Sequence, residues 1–277
     1  MADIRFHDIS YAQGEYNMDG DSSPIVFMKM SGAYTGSKTP YYDVQAARNY
    51  NNAVRLGKVA GLYHFAGGGD PTAEADFFIG ACSPLAENDV LILDYELGAA
   101  DNPPANPVAW CQTFVDRVHE RTGVWPLFYT YRAFLTSHDF SGVLRNCGLW
   151  VADYTVPPEG TVPCGHPYII HQYQGSPLDT NACFIDLDTL RKYGYHANQP
   201  TPAPAPAPAP SPVPPPAPNP PKPDPQPTPE PTQPIPNPSP QPNPEPTPTP
   251  VKDNTEQLNW LVRAVRAILR LFHLRVK

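Results

Sequence analysis

Between Asn198 and Val251 nearly every second residue is proline, and this stretch fixes how the rest of the chain can be organised. Proline locks φ and removes a backbone donor, and the residues between are Ala, Thr, Gln, Asn and a few charges, so no apolar face can be built there. The stretch reads as a linker of polyproline II character that reaches up to roughly 150 Å at about 3.1 Å per residue. It separates a front domain, residues 1–197, from a tail, residues 252–277. A front domain of that length can bury one core, yet it is short beside the roughly 250 residues typical of a β/α barrel, so a compact or irregular barrel is what would fit.

Charge is divided in the same way. The tail holds six Lys and Arg against two acids and the linker one Lys against three acids, which leaves −10 on the front domain out of a total of −8. An acidic front domain excludes nucleic acid as its partner class, because phosphate binding draws on clustered Lys and Arg. Cys82, Cys111, Cys147, Cys164 and Cys183 are odd in number, widely spaced and without a C-x-x-C pair, so they are expected to be reduced core residues. The opening MADIRFHDISYAQG has no basic segment followed by an apolar run, so a secretory signal is not expected and synthesis in a cytoplasm is.

Eight short apolar runs alternate with helical patterns: IRFHDI, PIVFMKM, KVAGLYHF, DVLILDYE, WPLFYT, CGLWVADY, PYIIHQY and FIDLD. Between them, Asp43 to Gly57 opens on an acidic N-cap and Pro107 to Gly123 repeats apolar residues at Cys111, Phe114, Val115 and Val118, so both are predicted helices. Val-, Ile- and Leu-rich strands separated by helices indicate parallel βα units, closed as a TIM-like α/β barrel or open as a doubly wound sheet. In a barrel of this type, chemistry sits at the carboxyl ends of the strands.

Asp94 and Glu96 end the run Val90 to Leu93, and residues two apart on a strand project to one face. Two carboxyls about 6 to 7 Å apart raise each other's pKa, which lets one stay protonated as a general acid, as glycosidic cleavage requires. Taken alone, such a pair is more often a solvated strand end. Its company strengthens it: Asp8 ends the first run, Asp186 lies in the last, and Tyr63, Phe65, Tyr129, Trp150, Tyr154 and Tyr173 stand near strand ends where rings could stack on sugars. His7 and His64 lack ligand spacing, so no metal or other cofactor is expected. Gly67-Gly68-Gly69 lacks the spacing of a phosphate loop and reads as a flexible rim.

These residues and their order resemble glycoside hydrolase family 25, the β/α-barrel lysozymes of phages and bacteria. The motifs are Asp8-Ile9-Ser10-Tyr11-Ala12-Gln13, Lys29 in FMKM, Gly61-Leu62-Tyr63-His64-Phe65, Asp94-Tyr95-Glu96, Tyr129-Thr130, Trp150-Val151-Ala152-Asp153-Tyr154 and Ile185-Asp186-Leu187. Each is short; together they span nearly the whole front domain. The resemblance implies that Glu96 protonates the leaving sugar oxygen, that Asp94 orients or stabilises the reacting group, and that Asp8 and Asp186 complete an acidic cleft. It also implies retention through the substrate's own acetamido group. Two departures stand out: Met30-Ser31-Gly32 replaces the family's Glu-Gly after the lysine, and His171-Gln172-Tyr173 replaces Trp-Gln-Tyr. They put contacts of the substrate in question more than the acid, with Gln172 and Tyr173 kept as sugar-binding positions and His171 read as a partly buried side chain.

The tail has Asp253 and Glu256 at capping-box spacing and then runs without proline as an amphipathic helix. Leu258, Leu261, Val265, Ile268 and Phe272 line one side, and Arg263, Arg266, Arg270 and Lys277 the other. Its partners would be an anionic membrane or wall polymer, or a second copy of itself through an a/d seam. For the whole chain the expectation is a muramidase acting on peptidoglycan strands, an endolysin that reaches the wall after release from the host cytoplasm. A non-catalytic glycan-binding module and a membrane-active tail are the readings from other classes, and chitinase-like specificity is the rival among enzymes.

Overall fold

The computed structural model describes residues 4–98 and 101–198. The readings of a linker at 198–251 and a helix at 252–277 lie, but for Asn198, outside them. Strand β1 (Ile4–Ile9) pairs in parallel with β2 (Ile25–Ala33), and β2 in parallel with β4 (Val59–Phe65), while the short β3 (Pro40–Tyr42) pairs antiparallel along β2. Parallel pairing continues through β5 (Val90–Asp94), β6 (Leu127–Tyr131), β7 (Leu149–Ala152) and β8 (Ile170–Gln174). The antiparallel β9 (Thr180–Cys183) then bridges β8 and β1 and closes the ring. The result is an eight-stranded barrel-like α/β domain with β3 outside the ring.

Helices α1 (Ala46–Arg55), α2 (Pro71–Cys82) and α3 (Pro107–Thr122) follow the early strands, and the short α4 (Arg132–Ser137) and α5 (Ser141–Leu144) follow β6. Between β7, β8 and β9 no helix intervenes, and α6 (Leu187–Arg191) comes only after β9. Omitting those crossovers is what lets fewer than 200 residues close a ring that usually takes more. The helix starts are chemically plain. Asp70 accepts from Ala73 N at 2.7 Å ahead of Pro71, and Asn106 accepts from Ala109 N at 3.0 Å ahead of Pro107. Gly123, at φ 77°, ends α3 in the left-handed conformation that glycine adopts without strain. Helix α1 begins two residues later than the sequence suggested, because Asp43 caps the preceding turn, accepting from Gln45 N at 2.8 Å.

Strand alternation splits the apolar residues into two cores. Phe6, Phe27, Val90, Ile92, Leu127, Trp150 and Ile170 fill the ring, while Leu91, Leu93, Phe128 and Val151 turn outward to meet Phe78 on α2 and Phe114 and Val118 on α3. Full burial of each such side chain contributes on the order of 1.5–3 kcal/mol. Gly61 is fixed by this packing: a Cβ there would lie 2.1 Å from Phe27 Cδ1, so the Phe27 ring crosses the barrel over a position that can carry no side chain. All five cysteines are buried, and no disulfide joins them.

The eighth strand corrects the sequence reading. The strand is Thr180–Cys183, not FIDLD, and the segment after it leaves the sheet as Asp186 caps α6, accepting from Thr189 N at 2.7 Å. A second feature comes from a bulge in β2. The register shifts between Lys29, opposite Tyr63, and Ser31, opposite His64. Lys29 therefore faces into the ring, while Ser31 joins the helix-facing side with His64.

Candidate active site at the carboxyl ends of the strands

Asp94 closes β5 at the height of Phe65 on β4 and Tyr129 on β6. The ladder carries one step further, with Tyr95 N donating to Tyr129 O at 2.9 Å, so Glu96 keeps the alternation and projects to the same side as Asp94. Both line a cavity of about 180 Å³ together with Asp8, Ser10, Lys29, Tyr63, Phe65, Tyr129, Trp150, Tyr154, Gln172 and Asp179. Asp94 is buried at the base and Glu96 is half-buried above it.

A chain of hydrogen bonds orders the floor. Trp150 Nε1 donates to Asn181 Oδ1 at 2.8 Å, and Asn181 Nδ2 donates to Asp8 Oδ2 at 2.7 Å. Gln172 Nε2 donates to the same carboxylate oxygen at 2.9 Å, while its Oε1 accepts from the hydroxyls of Tyr129 and Tyr154 at 2.8 Å each. On β2, the strand beside that of Asp8, the Lys29 ammonium lies 4.6 Å from the Phe65 ring centre, 5.7 Å from Tyr63 and 5.9 Å from Tyr11. Asp94 Oδ1 is buried and makes no hydrogen bond to any described residue.

Four acids around one cation set the electrostatics. Burial raises Asp94 well above the ordinary carboxyl range, the neighbouring Glu96 raises it further, and Lys29 limits the rise. Burial also raises Glu96, Lys29 pulls it back, and Asp179 pushes it up again. Asp8 is lifted to about 7 by burial, with repulsion from Asp179 added and the amides of Asn181 and Gln172 working against it. Asp179 is itself raised by burial, with His7 and Lys29 opposing. The cavity thus shifts all four carboxyls toward the protonated form, the direction a reaction needing a proton donor requires.

Ten of the twelve residues singled out in the sequence line this cavity: Asp8, Lys29, Tyr63, Phe65, Asp94, Glu96, Tyr129, Trp150, Tyr154 and Gln172. Asp186 does not. It is exposed at the start of α6, where the Thr189 amide and side chain hold its carboxyl below the ordinary range. Tyr173 does not either: neighbours of Gln172 on β8 face away from the ring, and Tyr173 packs under the Arg5 guanidinium at 5.1 Å. His171, on that same outer side, is fully buried and its Nε2 lies 2.9 Å from Asp153 O. Sequence reasoning missed Ser10, Asp179 and Asn181. The signal for Asp179 was the turn Ser176-Pro177-Leu178-Asp179 between two strands, which places an acid on the rim.

Ser31, His64 and Glu74 form a second polar cluster, on the helix side of β4. Ser31 Oγ lies 2.9 Å from His64 Nδ1, and His64 Nε2 lies 3.1 Å from Glu74 Oε2. Burial pushes the imidazole below its ordinary range, so His64 is neutral, donating from Nε2 to Glu74 and accepting from Ser31. The spacing is that of a serine, base and acid, yet all three are essentially inaccessible, so no substrate reaches the hydroxyl. Glu74 instead accepts from Gly67 N at 2.9 Å and Gly69 N at 2.6 Å. Lys38 Nζ donates to Gly67 O at 2.7 Å and Trp110 Nε1 to Gly69 O at 2.7 Å. The glycine loop beside the active cavity is therefore pinned on several sides, contrary to its reading as a flexible rim.

The family model described as glycosyl hydrolases family 25 matches residues 7–180. An N,O-diacetylmuramidase from a Chalaropsis species is 30% identical over 181 residues, covering 60% of this chain and 84% of that protein. The catalytic domain of the endolysin ply40 from bacteriophage P40 of Listeria monocytogenes superposes with a TM-score of 0.56 at 29% identity, over 69% of this chain and 97% of that one. The bacterial lysozyme of Streptomyces coelicolor superposes with a TM-score of 0.59 over 70% of this chain and 98% of that one, and at 23% identity it speaks for the fold alone.

Proposed function

Because the chain belongs to glycosyl hydrolases family 25 and is a glycoside hydrolase of the lysozyme class, we propose that it cuts the β-1,4 bond between N-acetylmuramic acid and N-acetylglucosamine in peptidoglycan. The observation that carries this reading is the placement of Asp94 and Glu96 on one side of one cavity, both with raised pKa. Glu96, half-buried and nearer the opening, donates its proton to the departing sugar oxygen. Asp94, at the base, serves the reacting sugar: its unpaired Oδ1 is an acceptor for the N–H of the substrate's acetamido group, whose carbonyl oxygen attacks the anomeric carbon. The C1–O bond breaks as that C–O bond forms, and water then opens the cyclic intermediate with the configuration at C1 retained.

Asp8, Asn181 and Gln172 form the floor against which the sugar is oriented, and Tyr129 and Tyr154 hold Gln172 in place. The setting proposed is that of a phage endolysin, made in the host cytoplasm and acting on the wall once released. The basic helix expected at 252–277 would add contact with an anionic envelope surface or with a second copy. The test is clearance of a wall suspension by the full chain, with identification of the new reducing ends. Muramic acid at those ends, lost in Glu96→Gln and Asp94→Asn, supports the reading. N-acetylglucosamine ends, or preferential cleavage of chitin, would refute it.

A further inference from the structure

A second cavity, of about 340 Å³, shares Glu96, Tyr129 and Tyr154 with the catalytic one and is completed by Tyr131, Arg132, Ala152 and Asp153. The two are neighbouring compartments of one groove, and they differ in charge. The catalytic compartment sets Asp8, Asp94, Glu96 and Asp179 around the single cation Lys29. An anionic substituent on the substrate would be repelled there. In the second compartment the cation is Arg132, with two acids in place of four, Glu96 and the Asp153 that Arg132 pairs with.

Arg132 is held in a way that leaves it able to bind. Its Nη1 lies 3.1 Å from Asp153 Oδ2, and Asp153 is buried while Arg132 is 38% exposed. Asp153 is anchored in turn through Oδ1, which accepts from Thr155 N at 3.0 Å and Thr155 Oγ1 at 2.6 Å. The ion pair tethers at Nη1 a planar group that carries five N–H donors, although Asp153 Oδ2 makes no regular hydrogen bond to it, and Arg132 lines the cavity. Paired forks of this kind suit carboxylates, which accept two parallel hydrogen bonds.

Resting on the muramidase reading above, we infer that the Arg132 compartment binds a carboxylate carried by the muramic acid substituent, and that this contact makes the enzyme select wall glycan over neutral glycans of the same backbone. The carboxylate is either that of the lactyl group, free where the peptide is absent, or one on the attached peptide. Asp153 acts as the positioning residue for the guanidinium.

The experiment compares kcat/KM of the full chain and of Arg132→Gln on three soluble wall glycans: peptide-bearing, peptide-bearing with its carboxyls amidated, and peptide-free with the lactyl carboxylate exposed. The wild type should prefer the native peptide-bearing or the peptide-free glycan over the amidated one by about tenfold, the scale of one charge-assisted contact. Arg132→Gln should show a ratio near one, and Arg132→Lys, which keeps the charge and loses the fork, a value between. Dependence on the peptide-bearing glycan alone assigns the peptide carboxylate, and dependence on the peptide-free glycan assigns the lactyl one. If wild type and Arg132→Gln agreed in both the native-to-amidated and the peptide-free-to-amidated ratio, the assignment would be overturned while muramidase activity stood; a wild type inactive on all three glycans would refute the activity itself.

Discussion

Trp150 donates its indole N–H to Asn181 Oδ1 at 2.8 Å and thereby turns the Asn181 amide nitrogen onto Asp8, 2.7 Å away. A ring that fills the barrel core thus orients one of the two amides that oppose the rise of an acid in the active cavity. Removing the amide donor takes away a bond that favours the charged form, so Asn181→Ala should move Asp8 upward from about 7. The Asp8 side-chain carbon, followed by NMR against pH, reports the shift directly; a downward shift, or none, would contradict this account of the floor.

The same acid links activity to stability. Asp8 is raised from an ordinary value of 3.8 to about 7, chiefly by burial, so the folded chain holds its proton where the unfolded chain has lost it. The stability it supports is complete below about pH 4 and falls as pH rises through 7. Asp8→Asn should therefore gain on the order of 4 kcal/mol over the wild type at pH 8 and little at pH 4, while losing catalysis. Urea denaturation at the two pH values measures it, and an equal gain at both would count against the burial argument.

Asp179 and Asp186 separate the cavity from its surroundings. Asp179 lines the cavity and raises both Asp8 and Glu96, so Asp179→Asn should lower the pH at which those acids titrate and reduce wall clearance at least tenfold. Asp186 caps α6 in solvent, so Asp186→Ala should leave clearance within about twofold of wild type and cost only a small loss of stability. Clearance rates of the two variants side by side decide between them.

Gly61 makes the sharpest packing prediction. Its missing Cβ would stand 2.1 Å from the Phe27 ring, so Gly61→Ala should destabilise the fold by about 3 kcal/mol or more. Combined with Phe27→Leu the loss should be less than the sum of the two single changes, as expected for neighbours. Additive losses in thermal denaturation would place the strain elsewhere.

Glu74 ties the glycine loop to the helix layer. Its carboxylate accepts from Gly67 N, Gly69 N and His64, so Glu74→Ala leaves buried donors unpaired and should cost about 3 kcal/mol. Hydrogen exchange at the Gly67 and Gly69 amides should speed up more than exchange in the barrel strands. Uniform acceleration would show a global effect only.

Much of this arrangement was legible in the sequence because its signals are local. The apolar runs around β1, β2 and β4 to β8 mark buried parallel strands, and the strand period alone puts Asp94 and Glu96 on one face. What escaped is long-range or irregular. Thr180–Cys183 carries no apolar run, since Asn181 spends its inward position on Asp8, and FIDLD drew the assignment instead. Asp186, inside that run, is the N-cap of α6 and accepts from Thr189 N. The unusual Met30-Ser31-Gly32 hid a bulge that sends Ser31 to His64, a change of face that no alternating pattern announces.

The central claim is that Glu96 supplies a proton to a leaving group at the cavity mouth. It is tested most directly by comparing Glu96→Gln on peptidoglycan and on an aryl glycoside of the same disaccharide, whose phenolate departs without a proton. The account expects a loss of about a thousandfold on peptidoglycan and less than about tenfold on the aryl glycoside. Equal losses on both substrates, or full activity on peptidoglycan, would contradict it.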